Sequence, residues 1–218
     1  EPSTLRLYNK LVKSGDVVFD IGANIGSHTL PLARLVGDIG HVYAFEPTDF
    51  AINKLHNNLN LNTNLIKRVT VCQAMLVSNE NILVEKELFS SWPLVGDNKL
   101  HEKHKGQLMV TTGARAATLD NIVKEYNITR IDFIKLDVDG FEYSVLSGGE
   151  KTLKKFKPTI LMELAPYLFK NQKNEFIQMI ELYKKLGYFF YDANNRNTLP
   201  VEAEKLFDLI PDGVSRNI

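Results

Sequence analysis

The chain has 218 residues, 44% of them hydrophobic, enough for one sizeable domain over residues 1–218 that buries roughly 70% of its unfolded surface. Lys plus Arg and Asp plus Glu number 26 each, so no global field recruits nucleic acid or an anionic membrane. The single cysteine, Cys72, excludes an intrachain disulfide framework and favours a reducing compartment such as the cytoplasm, and no apolar run approaches the ~20 residues that span a bilayer. The chain begins at Glu1 without a methionine, which leaves a removed leader or an upstream domain open.

In chain order, Val17-Val18-Phe19 is too short for a helix, is bounded by Gly15-Asp16 and a glycine loop, and reads as a buried strand. Leu30, Ala33 and Leu35 then suggest a helix capped by Ser27, His28 or Thr29, with Pro31 tolerable in its first turn. A second strand, His41 to Phe45, stops at Glu46-Pro47, and a helix runs from Asp49 to about Asn60. Further strands are expected at Val69 to Ala74, Ile131 to Asp137, Thr159 to Glu163 and Tyr188 to Asp192, with a last antiparallel one around Val214 to Ile218. Thr118 caps one intervening helix, and another places Phe176, Ile177, Ile180 and Tyr183 on one face before Gly187 ends it. Strands alternating with helices predict a doubly wound α/β sheet that is mostly parallel. Between the third and fourth strands the alternation breaks, and residues 81 to 115 read as a hairpin-like insertion that is either a lid or a variable surface excursion.

The stretch "DIGANIG", residues 20 to 26, carries the first chemistry. Gly22 and Gly26 let the backbone turn sharply and approach a ligand, and the helix that follows offers unpaired amides and partial positive charge. Asn24 interrupts the spacing of a dinucleotide fingerprint, and Asp20 instead suits a ligand bearing an ammonium group. Glu46, at the end of the second strand, can accept both hydroxyls of a ribose. Together they point to a ligand that carries an amino acid and a ribose.

The stretches "GDVVFDIGANIGSHTLPLA", "VYAFEPTDFAINKLHNNLNLN", "IDFIKLDVDGFEYSVLSGGEKTL" and "KPTILMEL" resemble the FkbM family of S-adenosylmethionine-dependent methyltransferases. The resemblance covers most of residues 1 to 165, and its four motifs fall in order on strand ends. It implies the seven-stranded, Rossmann-like class I methyltransferase fold and O-methylation of a hydroxyl on a sugar, glycan or secondary metabolite. By the same resemblance Asp20, Gly22, Asn24 and Gly26 hold the methionine part of the cofactor, Glu46 with Pro47 the ribose, and Gln73-Ala74 the adenine, while Asp137 lies near the methyl group. At the third strand "CQAMLVSN" stands where the family wording is more acidic.

On the fourth strand Ile131, Phe133, Lys135 and Asp137 share one side by alternation. Asp137 ends the strand where open α/β sheets place ligands, and Asp139 and Glu142 follow across an Asp-Gly turn, so three carboxylates converge as catalytic candidates. The plainer reading makes Asp139-Gly140 a turn and Glu142 a favourable first-turn residue, with Lys135 pairing a core carboxylate. A hydroxyl acceptor loses a proton, which Asp137, Glu142 or a histidine could take. His28 stands at the loop as a proton acceptor or a polar helix-start residue, and His41 only begins a strand. His101 and His104 lie in "KLHEKHK", either a solvated turn or a lid facing an anionic substrate. Phe89 and Trp92 could stack on an acceptor ring or plug the space under a loop. Asp137 and Glu163 end adjacent strands with oxygen donors that suit magnesium, a minority expectation because no paired acid follows Glu163. A nicotinamide oxidoreductase or a non-catalytic nucleotide-binding module of the same fold class is the alternative. A nucleic-acid methyltransferase is disfavoured by the neutral charge balance and the lack of an "NPPY"-like motif.

Overall fold

Short apolar runs between turn residues become strands and the stretches of helical period become helices, so the two alternate along most of the chain. The computed structural model describes residues 2–90, 107–169 and 172–218. The chain opens with α1 (Pro2–Leu11), β1 (Val17–Ile21), α2 (Thr29–Val36), β2 (His41–Phe45), α3 (Asp49–Asn60), β3 (Val69–Cys72) and β4 (Ala74–Leu76). It continues through β5 (Glu87–Ser90), β6 (Gln107–Val110), β7 (Arg115–Ala117), α4 (Leu119–Glu125) and β8 (Phe133–Leu136). After β8 come α5 (Glu142–Ser147), α6 (Glu150–Phe156), β9 (Thr159–Leu164), α7 (Lys173–Lys185), α8 (Ala203–Leu209) and β10 (Arg216–Asn217).

The main sheet has the order β10-β9-β8-β1-β2-β3, parallel throughout except for β10, which runs antiparallel to β9. Alternate residues of the strands feed two cores. Phe19, Ile21, Ile134, Leu136 and Met162 pack with Val145 of α5 and Phe176 of α7. On the other face Val18, Val42, Phe133 and Leu161 pack with Tyr8 of α1 and with Leu32 and Val36 of α2. Each such side chain contributes roughly 1.5–3 kcal/mol of burial. The chain steps from β1 outward through β2 and β3, then returns to place β8 on the other flank of β1. The boundary between β1 and β8 is therefore the switch point at which α/β sheets open a crevice beyond their carboxyl ends.

The Thr118 cap forms as expected, whereas α2 starts after His28 without a side-chain cap hydrogen bond, the His28 ring being turned to Tyr8. Thr118 accepts a hydrogen bond from Asn121 N at 3.2 Å and starts α4. Pro31 sits in the first turn of α2, and Gly187 takes φ 75° just past α7. The antiparallel strand expected near the carboxyl terminus forms as β10.

Two strands depart from expectation. The third breaks at Gln73 and does not run straight through to Ala74. Residues Ala74–Leu76 leave the main sheet to pair with Arg115–Ala117, while the Gln73 amide is drawn to Asp49 Oδ1 at 2.5 Å. The sixth does not form over Tyr188 to Asp192, where a lone bridge joins Tyr191 to Thr198. Phe190 is buried there while Phe189 and Tyr191 are exposed, so the alternation reflects packing on the core and not sheet pairing. The segment reaches β10 through the Asp192 Oδ2 pair with Arg216 at 3.3 Å and, just beyond it, the backbone bond from Ala193 N to Asn217 O at 3.0 Å, without strand pairing. Among the described residues the main sheet thus has six strands against the seven expected. In the 81 to 115 region β5 and β6 pair antiparallel, Glu87 opposite Val110. Trp92, His101 and His104 lie outside the described residues.

Candidate active site

A cavity of about 740 Å³ opens over the carboxyl ends of β1, β2, β8 and β9, within the roughly 300–1,000 Å³ usual for ligand pockets. Its floor is the loop after β1. Gly22 adopts φ 79°, and a Cβ there would lie 1.9 Å from Asp137 O, so only glycine lets the β1 loop pass the end of β8. Asn24 also takes a left-handed φ of 48°, with its own Oδ1 accepting from Ile25 N at 2.8 Å. This turns the Asn24 amide toward Glu46 Oε2, at 3.0 Å.

Glu46 is 5% exposed and lines the cavity together with Pro47. Thr48 N donates to its Oε1 at 2.9 Å, which fixes the carboxylate plane. Burial raises its pKa above the ordinary range, against the hydrogen bonds from Thr48 and Asn24. Ala74, Met75 and Leu76 form the neighbouring wall. Gln73 does not line the cavity, its side chain being held by Asp49.

Asp20 is fully buried and is not among the lining residues. Thr29 Oγ1 donates to its Oδ2 at 2.6 Å, and Oδ1 has no hydrogen-bond partner but faces Lys135 Nζ at 3.8 Å. Asp20 and Lys135 are register partners on β1 and β8. The Lys135 ammonium donates to Gly22 O at 3.0 Å and pairs with Asp137 Oδ2 at 3.1 Å. Burial pulls its pKa down, but the charges of Asp137 and Asp20 outweigh burial and the net shift is upward. A lysine thus stands where an ammonium was expected opposite Asp20, and it belongs to the protein.

The carboxylates after β8 converge on the cavity as the alternation and the Asp-Gly turn suggested. Asp137, Asp139 and Glu142 all line it, with Glu163 from β9 beside them. Burial pushes Asp137 up, yet the Lys135 charge and hydrogen bonds from Lys135 and Glu163 hold it below the ordinary range. Glu163, which accepts from Ser215 Oγ and donates to Asp137, is pushed up to about 7 by burial and then by the Asp137 charge. Glu142 is 3% exposed; its Oε1 accepts from Val138 N at 3.3 Å and Gly140 N at 3.2 Å, while Oε2 has no partner. Burial raises it to about 7. Among the described residues no group of three or more His, Cys, Asp or Glu is arranged to hold a metal ion.

His28 lines the cavity, its Nδ1 hydrogen-bonded to the Tyr8 hydroxyl at 2.9 Å, and burial followed by the Lys135 charge lowers its pKa. His41 is remote, hydrogen-bonded through Nε2 to Thr70 Oγ1 at 2.8 Å. Sequence reasoning missed Phe141 and Tyr167 as wall residues. Both flank the recognised acids, Phe141 directly before Glu142 and Tyr167 four residues after Glu163, and that adjacency was the available signal.

A glycine cradle, an acid in the loop turn's shadow at the end of β2 and an acidic pair at the far end suit an adenosyl amino acid. Known proteins agree. The family model described as the methyltransferase FkbM domain matches residues 20–190. The hexuronic acid methyltransferase AglP of Haloferax volcanii is 23% identical over 154 residues, covering 71% of this chain, which spans 58% of that protein's length. Among solved structures, a candidate rRNA methylase from Clostridium thermocellum superposes with a TM-score of 0.51 at 17% identity, covering 83% of this chain and 78% of that one. SMU.1697c from Streptococcus mutans, in complex with SAH, gives 0.50 at 13% identity over 90% and 91% of the two chains. At these identities the structural likenesses show the fold, an α/β methyltransferase sheet, while the family match displaces the nicotinamide alternative. The chain belongs to the FkbM family of S-adenosylmethionine-dependent methyltransferases.

Proposed function

We propose that the protein methylates a hydroxyl oxygen of a sugar or glycan. The observation that carries this reading is the Asp137–Glu163 hydrogen-bonded pair, set at the ends of adjacent strands in the same cavity as the glycine loop and Glu46. The sugar relative, which acts on hexuronic acid, supports the acceptor class. In this reading Gly22 and Asn24 cradle the methionine part, while Gly26, which does not line the cavity and whose φ of 94° lets the loop pack against Leu55, shapes the turn behind them; Glu46 and Pro47 take the ribose, and Ala74 with its neighbours meets the adenine. Asp20 supports the loop from below through Lys135.

S-adenosylmethionine supplies an electrophilic methyl group on a sulfonium, with the bonding pair left on sulfur. The protein's contribution is alignment of the acceptor oxygen in line at roughly 3–3.5 Å in a dry pocket. The hydroxyl proton passes to the Asp137–Glu163 pair, which titrates as a unit. Lys135 keeps Asp137 ionised and ties it to Gly22 O, so the acceptor end and the cofactor loop hold a common position. Calorimetry with S-adenosylhomocysteine (SAH), followed by labelled-methyl transfer to hydroxylated sugars, tests the reading. SAH binding with transfer to oxygen is expected, and no binding at millimolar concentration would sink it.

A further inference from the structure

The acceptor end of the cavity has a pronounced charge bias. Of the Lys, Arg, Asp and Glu residues lining the whole cavity among those described, five are acidic and Lys135 alone is basic. The Lys135 ammonium is already committed to Gly22 O, Asp137 and Asp20. Glu46 belongs to the β2 end, which leaves Asp137, Asp139, Glu142 and Glu163 around the β8 and β9 ends.

An acidic cluster alone has many explanations, but Glu142 narrows them. Its Oε2 is buried without a partner although Oε1 is fixed by two backbone amides, and the residue forms part of the cavity wall. A buried acceptor left unmade is costly, so a ligand that donates a hydrogen bond there would complete the site. The same wall carries two aromatic rings. Phe141 is 46% exposed and Tyr167 half-buried, and the segments that bear them approach one another, Gly140 lying against Leu168. Burial and the charges of Glu163 and Asp139 raise Tyr167, which places its hydroxyl within the field of both acids.

We propose that this subsite takes an uncharged sugar ring, with hydroxyls donating to Glu142, Asp139 and the Asp137–Glu163 pair and the C–H face against Phe141 and Tyr167, and that it rejects a uronate. Hydroxyl donors meet the acceptor oxygens of Asp137, Asp139 and Glu142, and a planar ring covers the apolar patch of a pyranose. A carboxylate on the acceptor meets like charges with no uncommitted cation among the described lining residues, and such juxtaposition disfavours binding. The inference rests on the methyltransferase reading of the cavity and departs from the uronate specificity that the AglP name describes for that relative.

The full chain is tested first for SAH binding by calorimetry; absence of binding removes the methyltransferase reading and this inference with it. Labelled-methyl transfer then compares methyl glucoside, galactoside and mannoside with the matching uronosides. At least one neutral glycoside is expected to be accepted, with its uronoside lower in kcat/KM by at least about tenfold. Equal or better use of the uronoside, or SAH binding with no neutral glycoside accepted, overturns the proposal. Asp139→Asn, which tolerates the φ of 51° at that position, should narrow the neutral-to-uronate ratio at least about threefold; an unchanged ratio counts against the subsite.

Discussion

Asp20 and Lys135 face one another across the β1–β8 boundary as register partners, both buried, with Nζ 3.8 Å from Oδ1. Two charges taken out of water hold together only as a set, and here the set is closed by Thr29, Gly22 O and Asp137. Removing one member leaves the others uncompensated. Lys135→Met is expected to destabilise the fold by about 3–5 kcal/mol, and Asp20→Asn added to it should return much of the loss. Denaturant midpoints of the wild type, both single variants and the double variant give the coupling. Additive losses would show that the pair does not act as one.

Gly22 joins the fold to the site at a single backbone atom. A methyl group there would meet Asp137 O at 1.9 Å, against rigid backbone, in a residue that also needs φ 79°. Gly22→Ala must move either the loop or the end of β8, so it should abolish measurable SAH binding while losing about 1–3 kcal/mol of stability. Calorimetry beside thermal unfolding separates the two effects. Wild-type SAH affinity in Gly22→Ala would exclude the loop as a cofactor cradle.

Much of this arrangement could be read in the sequence, because buried parallel strands are apolar runs and their polar terminators stand out. Asp137, Glu46 and the glycines were visible as interruptions of that kind, and α3, β2 and β10 fall where the pattern put them. What escaped depends on register and side-chain competition, which no local pattern records. That Asp20 serves Lys135 follows from the alignment of β1 with β8, 115 residues apart in the chain. The break at Gln73 follows from Asp49 attracting its amide, and the missing sixth strand from Phe190 packing on the core with no neighbouring strand to pair. The aromatic wall was hidden for another reason: Phe141 sits in the turn before α5 and Tyr167 in a short 3-10 helix, Pro166–Phe169, too brief for either period to show.

Glu46 offers a sharper test of the cofactor end. Its carboxylate is held by Thr48 N and by Asn24 N, so its plane is set before any ligand arrives. Hydrogen bonds to a charged acceptor are each worth about 1.5–3 kcal/mol. Glu46→Gln keeps the volume but loses the charge and one acceptor, and should weaken SAH binding by about 10- to 150-fold with less effect on the acceptor KM. An unchanged SAH Kd would move the ribose elsewhere in the cavity.

Protonation of Glu142 links the site to stability. Its pKa is pushed up to about 7 by burial, with the Asp137 charge adding, from an ordinary 4.5 in the unfolded chain. Between those values the folded protein holds a proton that the unfolded chain has released, so this stabilisation is complete below about pH 4.5 and is lost as pH rises through about 7. Glu163 acts in the same direction over the same range. His28 and His41, both lowered by burial, act oppositely toward 6.5, so the raw pH profile of the wild type mixes signs. The difference between wild type and Glu142→Gln isolates the glutamate, since Gln imitates its protonated form in shape and charge. The variant should gain stability relative to the wild type as the buffer moves from about pH 5 to about pH 7.5, read from urea midpoints at constant ionic strength. A difference that stays flat across that range would mean that Glu142 ionises in the folded protein as it does in water, and the buried, unpartnered Oε2 would then have to be solvated.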